Sequence, residues 1–96
     1  MGIVVAGISA VSGQGILDIR PPPGEEWVII NIYHEFDVDL GKTDGTNTIW
    51  FDTDTGAGVY AKFAIHLTNS VWLRVRNRDT NTAATKLIGY DGVKIT

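Results

Sequence analysis

The chain has 96 residues, of which 44% are hydrophobic, and it carries no cysteine and a formal net charge of −3. A chain of this length forms one domain with no second core, and its hydrophobic content argues against disorder. The missing cysteines exclude a disulfide framework and a thiolate metal site, and the net negative charge gives no reason to expect nucleic-acid binding.

The beginning of the chain is apolar and rich in small residues, and a Gly-Gln-Gly break follows it at residues 13–15. We interpret residues 1–12 as an N-terminal arm, either mobile or docked, and residues 13–96 as a single folded domain. The apolar run is too short to span a membrane, so no membrane partner is expected.

The next segments predict two strands of different kinds. Residues 16–20 form a short strand that ends at the prolines of residues 21–23. Proline cannot donate to a strand ladder, so this segment must lie at an edge or a corner. Residues 26–34 are β-branched and aromatic on both faces. This pattern predicts a central strand that is covered on both sides.

Further along, apolar and polar residues alternate with a period of two, and no helical stripe is present. The remaining predicted strands are residues 35–40, 48–52, 59–68, 71–77, 86–90 and 93–96. About eight short strands separated by Gly, Asn and Asp turns predict an all-β fold, an antiparallel β-sandwich of the jelly-roll kind.

Three turns are expected to join these later strands. Asp44-Gly45 is the strongest hairpin signal in the chain. Residues 59–68 and 71–77 are separated by a short polar turn, so we expect them to pair with each other. The Asp-Gly sequence at residues 91–92 is expected to turn the chain between its last two strands.

Charge is divided unevenly along the chain. Residues 1–54 hold nine acidic and two basic side chains, whereas residues 55–96 hold two acidic and six basic ones. This division suits ion pairs between the strands of one chain. It also suits docking of the acidic part of one copy on the basic part of the next.

Candidate metal ligands are few. His34 and His66 are the only histidines, and we expect both to be half-exposed strand residues rather than ligands. A structural calcium ion stays open as an alternative to plain solvation of the carboxylates that stand beside loops at Asp37, Asp39, Asp52 and Asp54. No cofactor is expected.

The sequence offers no catalytic machinery. It has no cysteine nucleophile, and no serine stands in the context of a nucleophile elbow. Gly41-Lys42-Thr43 lacks the earlier glycine of a phosphate-binding loop, because Phe36 stands at that position. We therefore expect that the protein is not an enzyme.

Trp72, Arg74 and Arg76 share one face of a strand, because they lie at a period of two. The simplest expectation is that the two arginines pair with acids such as Asp37 or Asp39 on a neighbouring strand. The alternative is that this strip contacts a second subunit or another partner.

Three stretches of the sequence resemble known proteins. They are the apolar arm at residues 2–13, the proline-containing corner at residues 17–27 and the C-terminal segment at residues 89–95. Together they resemble small β-sandwich proteins of tailed bacteriophages and similar viruses, in particular capsid decoration (cement) proteins and trimeric fibre or spike domains. The resemblance implies a virion protein, assembled in the host cytoplasm, that forms homotrimers, binds the major capsid protein and stabilises the shell.

The residues expected to contact other copies or the capsid belong to the arm and to the strip that begins at Trp72. They are Ile3, Val4, Val5, Ile8, Trp72, Arg74 and Arg76. In this interpretation the arm reaches onto a neighbour and the charged halves set the register. Deleting residues 2–12 is then expected to leave a folded domain that no longer assembles.

The alternative function is a carbohydrate- or receptor-binding module of a phage fibre or spike, with a glycan as the partner. Its platform for stacking on sugar rings would consist of Trp50, Tyr60 and Trp72, whose side chains would have to be exposed. Substitution of Trp50 or Trp72 would then abolish glycan binding without changing the oligomeric state.

Overall fold

The computed structural model of the chain describes residues 3–96, and these residues form nine β-strands and no helix. The strands are β1 (Ile3–Ser12), β2 (Ile16–Ile19), β3 (Glu26–His34), β4 (Val38–Thr43), β5 (Thr48–Asp54), β6 (Gly58–Tyr60), β7 (Ile65–Thr68), β8 (Trp72–Asn77) and β9 (Thr85–Lys94). Within this range there is accordingly no helix long and apolar enough to cross a membrane.

The strands form two antiparallel sheets, which confirms the predicted all-β sandwich. The larger sheet has five strands in the order β1-β9-β3, with β6 and β7 both paired to the other side of β3. The smaller sheet has four strands in the order β2-β8-β4-β5. The core draws side chains from both sheets: Val11, Ile19, Ile29, Ile32, Val38, Leu40, Tyr60, Ile65, Leu67, Leu73, Val75 and Ile88.

Residues 3–12, which the sequence analysis places in an arm, form strand β1 of the larger sheet. This strand pairs with β9 along its whole length, from Ile3 opposite Lys94 to Ser12 opposite Thr85. Val11 is 7% exposed and enters the core. The first two residues of the predicted arm lie outside the described residues. The described part of the arm is therefore a docked strand of its own domain.

The predicted pairing of residues 59–68 with residues 71–77 is wrong. The first segment is divided into β6 and β7, which both pair with β3 in the larger sheet. The second segment contains β8, which lies between β2 and β4 in the smaller sheet. At the crossing, the N–H of Thr68 donates to the carbonyl of Val71 at 2.8 Å. Crossing here places the apolar faces of β7 and β8 on opposite sides of the core.

The turn predicted at residues 91–92 is also wrong, because β9 continues through it without a break. Gly92 lies opposite Ile29, where the register of β3 shifts by one residue. A Cβ atom on Gly92 would overlap the carbonyl oxygen of Val28. Gly92 therefore allows two backbones to approach closely at a bulge, and it does not form a turn.

The hairpin predicted at Asp44-Gly45 is confirmed and joins β4 to β5. Gly45 has a φ of 96°, a left-handed conformation that favours glycine. The carboxylate of Asp44 accepts hydrogen bonds from the N–H groups of Thr46 (2.9 Å) and Asn47 (2.7 Å). These two bonds hold the turn in the form that the sequence predicts.

Strand β3 is central, as predicted, but it is covered on one face only. Ile29 and Ile32 are each 1% exposed and face the core. On the other face Tyr33 is 42% exposed, and Ile30, at the bulge, is 46% exposed. No element within residues 3–96 covers this outer face of the larger sheet.

Candidate interaction surfaces

Strand β1, at the open edge of the larger sheet, carries several strongly exposed apolar side chains. Ile3, Val4 and Ile8 are 64%, 74% and 76% exposed. Val5, also expected as a contact residue, points inward and packs against the core. The ten residues of β1 include no charged side chain and no proline.

The hydrogen-bonding groups of this edge are available to a partner. Within the described chain, the backbone from Ile3 to Ala10 forms hydrogen bonds only within its ladder with β9. At the end of the strand, the side-chain amide of Asn77 donates to the carbonyl of Val11 at 2.9 Å. The unpaired stretch thus extends over most of the strand and stops where Asn77 caps it.

The other sheet edges carry features that discourage pairing with a further strand. Strand β2 has four residues and is followed by Arg20 and three prolines. Strands β6 and β7, with three and four residues, are separated by an irregular segment. Strand β5 ends in Asp52-Thr53-Asp54 and is bulged against β4. Short strands, charges, prolines and bulges are the usual protection of a sheet edge, and β1 has none of them.

The outer face of the larger sheet contains a shallow depression. Pairing aligns Ile8, Gly89, Tyr33 and Val59 in one row across β1, β9, β3 and β6. Gly89 has no side chain, so the row is interrupted between Ile8 and Tyr33. The depression measures about 590 Å³, and its lining includes Ile8, Tyr33, Leu87, Gly89 and Asp91.

The polar groups at the rim of this depression bond to one another. The hydroxyl of Tyr33 donates to Oδ2 of Asp91 at 2.7 Å, and Nδ2 of Asn31 donates to Oδ1 of Asp91 at 2.8 Å. The hydrogen bond from Tyr33, followed by that from Asn31, lowers the pKa of Asp91. The same bond to Asp91 raises the pKa of Tyr33. The carboxylate is therefore held ionised and bonded, which suits a structural role better than proton transfer.

On the outer face of the smaller sheet, the two predicted arginines pair within the chain. Nε of Arg74 lies 2.8 Å from Oδ1 of Asp18, and Nη2 of Arg76 lies 2.7 Å from Oδ2 of Asp39. The expectation of salt pairing between neighbouring strands is confirmed for Asp39. Since Asp18 and Asp39 come from the acidic part of the chain, the uneven charge distribution is used inside one molecule.

Asp39 is 8% exposed and is the centre of this network. Nε of Arg78 is a second cationic neighbour, 3.4 Å from Oδ1, and the hydroxyl of Thr53 donates to the same oxygen at 2.8 Å. Burial alone would raise the pKa of Asp39, but the hydrogen bonds from Arg76 and Thr53 outweigh it and leave the pKa below its usual 3.8. All of these partners stabilise the charged form.

The predicted aromatic platform for sugars is wrong for two of its three members. Trp72 and Tyr60 are only 6% and 2% exposed, whereas Trp50 is 38% exposed. Trp72 is covered by Arg20, whose Cζ lies 3.9 Å from the ring centre. Arg76 covers Trp50 in the same way at 4.5 Å. The aromatic faces are thus occupied by guanidinium groups of the chain itself.

The two histidines differ in their surroundings. His34, expected to be half exposed, is 5% exposed, and that prediction is wrong. Its Nε2 lies 2.8 Å from Oδ2 of Asp54, and its Nδ1 lies 2.9 Å from the carbonyl of Phe36. Both partners are acceptors, so a neutral ring can donate to only one of them. His66 is exposed and lies 2.8 Å from a carboxylate oxygen of Glu26.

The carboxylates considered for calcium are bound to different partners. Asp37 accepts the N–H of Gly56 at 2.7 Å. Asp52 accepts the hydroxyl of Tyr60 and lies 2.9 Å from Nζ of Lys62. Among residues 3–96, no three His, Cys, Asp or Glu side chains lie close enough together to hold a metal ion.

No protein-family model matches the chain, and no curated protein does either. Among residues 3–96, no segment covers the edge of β1 or the adjoining outer face of the larger sheet. The outer face of the smaller sheet, in contrast, is occupied by ion pairs and by arginines stacked on Trp72 and Trp50.

Proposed function

We propose that this protein is a non-catalytic structural component that associates with copies of itself and with a larger assembly. The observation that carries this proposal is the open edge of β1, which is unpaired from Ile3 to Ala10 among the described residues and has no charged side chain. An exposed strand of this kind is a template for pairing with another chain, and natural monomers normally protect such edges.

The hydrogen bonds of the titratable side chains support the same proposal. The buried titratable side chains, Asp39 and His34, form hydrogen bonds within the fold. The ionised carboxylate of Asp91 is held by Tyr33 and Asn31. His34 faces the carboxylate of Asp54 and the carbonyl of Phe36, and not a hydroxyl that it could activate as a nucleophile.

The specific role that we propose is capsid decoration. In this role copies of the protein lie on the virion surface and contact each other and the major capsid protein. Each copy buries apolar surface at these contacts, and burial contributes about 25 cal/mol per Å². Repetition of a modest contact over a shell makes the total stabilisation large.

The self-association is tested by the oligomeric state of the full chain, measured by sedimentation velocity and native mass spectrometry over a wide range of concentration. We expect a defined oligomer. A monomer at every concentration would contradict the proposed function.

The capsid role is tested separately by protein mass spectrometry of purified virus particles from the source of this sequence. We expect the protein in a fixed ratio to the major capsid protein. Its absence from the particles would overturn the capsid role while leaving the self-association to be judged by sedimentation.

A further inference from the structure

We propose that two copies of this chain pair antiparallel through the open edges of β1, about a two-fold axis, so that their two larger sheets become one continuous sheet. The proposal rests on the proposed self-association and specifies its surface and its symmetry. It makes the partner of β1 a second β1.

Among protein partners, the backbone groups of this edge fit another strand best. From Ile3 to Ala10 the outward N–H and C=O groups of β1 lack protein partners among the described residues. A neighbouring strand satisfies such groups at the spacing of a ladder, while an apolar ligand leaves them unsatisfied. The side chains beside them, such as Val4 and Ile8, gain burial at the same time.

A second copy fits this edge because the edge is complementary to itself. Two identical strands that pair antiparallel are related by a two-fold axis, and the same patch then serves both subunits. β1 contains no charged residue, so like charges do not meet when it faces its own copy. A partner that used the acidic and basic halves of the chain would need an edge with charges, and β1 has none.

The alternation of inward and outward side chains along β1 limits the register in which two copies of the strand can pair. Residues directly opposite each other in antiparallel strands lie on the same face, so outward residues must oppose outward residues. Val4, Ala6 and Ile8 all point outward. A register with the axis at Ala6 places Val4 of each copy opposite Ile8 of the other and covers the two most exposed side chains of the strand.

This geometry gives dimers, or larger assemblies built from dimers. Edge pairing of one strand with its own copy closes after two subunits, whereas the resemblance to decoration proteins implies a trimer. The outer faces of the two larger sheets also become continuous, so the depressions around Gly89 lie on the same side of the dimer.

The first test introduces a charge at the axis. Ala6→Lys places two lysines opposite each other in the dimer, and like charges directly opposite destabilise strand pairing. The side chain of Ala6 is exposed, so the fold of each subunit is expected to survive, as circular dichroism will show. The matched control is Ala83→Lys, which makes the same change at an exposed alanine in the loop before β9. We expect a dissociation constant at least tenfold higher for Ala6→Lys and no change for Ala83→Lys.

The second test does not depend on destabilisation. The chain has no cysteine, so a single introduced cysteine is the only one present. Opposed residues in antiparallel strands have Cα atoms about 4.5–5.5 Å apart, which a disulfide can bridge. We expect Ala6→Cys to form a covalent dimer under mild oxidation, and Ala83→Cys to remain largely monomeric on a denaturing gel.

The outcomes separate this inference from the proposed function. If the unmodified chain forms an oligomer and Ala6→Lys leaves it intact without cross-linking of Ala6→Cys, the pairing of β1 is overturned while self-association stands. If the unmodified chain is monomeric and Ala6→Cys does not cross-link, both are overturned. Dissociation by Ala6→Lys together with cross-linking at Ala6→Cys supports both.

Discussion

Asp39 lies in the middle of the smaller sheet with two guanidinium groups and a hydroxyl around its carboxylate. Its side chain is 12% exposed, against 41% for Asp18 in the neighbouring ion pair with Arg74. Burial decides how much each ion pair contributes to the stability of the fold, because water screens the charges of the exposed pair. The two aspartates thus offer a matched comparison within one sheet.

We expect Asp39→Asn to lower the free energy of unfolding by about 1–2 kcal/mol, because Arg76 loses its charged partner in a partly buried position. Asp18→Asn, the control at the exposed pair, is expected to cost less than about 1 kcal/mol. Urea denaturation of both variants measures the difference. Equal losses would show that burial of Asp39 does not matter.

Acid sensitivity follows from the same carboxylates. The hydrogen bond from Lys62 lowers the pKa of Asp52, and the hydrogen bond from the N–H of Asn47 lowers the pKa of Asp44. The pKa values of Asp39 and Asp91 are lowered as well. A group with a lowered pKa stabilises the fold above its unfolded pKa, and that stabilisation disappears as the pH falls through its folded pKa. We therefore expect these groups to cause a loss of stability below about pH 4.

Thermal unfolding at a series of acid pH values measures this loss. Asp39→Asn should show a shallower decline than the unmodified chain, because it has one such group fewer. A parallel decline in both proteins would contradict the assignment of Asp39.

Sequence alternation predicts which residues share a strand face, but not whether that face is covered. The alternation in β8 correctly assigned Trp72 to a strand face with Arg74 and Arg76, but it also suggested that the face was open. Trp72 is buried, and Arg20, the residue that follows β2, stacks on its ring. Strand order determines that contact, and no local pattern in either segment encodes strand order.

At the scale of elements, Gly92 supports the central pair of the larger sheet. It lies opposite the bulge of β3, and a Cβ atom there would overlap the backbone of Val28. We expect Gly92→Ala to lower the free energy of unfolding by about 2–3 kcal/mol, through overpacking against backbone that cannot rotate away.

The control for this prediction is Gly89→Ala on the same strand. Its Cβ would point to the outer face, with the carbonyl oxygen of Gly7 and Cγ1 of Ile8 each 3.2 Å away. We expect a smaller loss, because the exposed Ile8 side chain has room to adjust. If chemical denaturation gives the same loss for both variants, the bulge is not the reason why β9 carries glycine at position 92.

The position of β1 reverses the expected effect of deleting residues 2–12. Removal of the strand uncovers the whole edge of β9 and takes Val11 out of the core. We expect the truncated chain to lose its cooperative thermal transition and its near-ultraviolet circular dichroism signal. A truncated chain that melts cooperatively near the temperature of the full chain would show that β1 is dispensable for folding.

Most individual strands could be predicted from the sequence, because alternation and turn residues are local signals. The hairpin at Asp44-Gly45 is an example. The same Asp-Gly pair at residues 91–92 lies inside β9, since there the glycine is needed opposite a bulge. Pairing of β1 with β9 joins the two ends of the described chain, and the apolar pattern of the first residues does not reveal a partner so distant in sequence.

Over the whole molecule, many charged side chains pair with one another, whereas strand β1 has no charged side chain. The acidic first half and the basic second half meet within the chain, through pairs such as Asp18 with Arg74 and Asp39 with Arg76. The uncharged edge of β1 lies at one end of the larger sheet. Contacts between copies are then expected to depend on backbone hydrogen bonds and apolar burial, and not on the charged halves.

Because β1 carries no charge, the salt dependence of association is the most direct test of whether copies associate through its edge. Sedimentation velocity of the full chain at low and at high ionic strength compares a contact made by β1 with one made by complementary charges, which salt weakens. We expect a dimer whose dissociation constant stays about the same or falls as salt is added. A chain that remains monomeric, or an oligomer that dissociates when salt is added, would contradict association through the edge of β1.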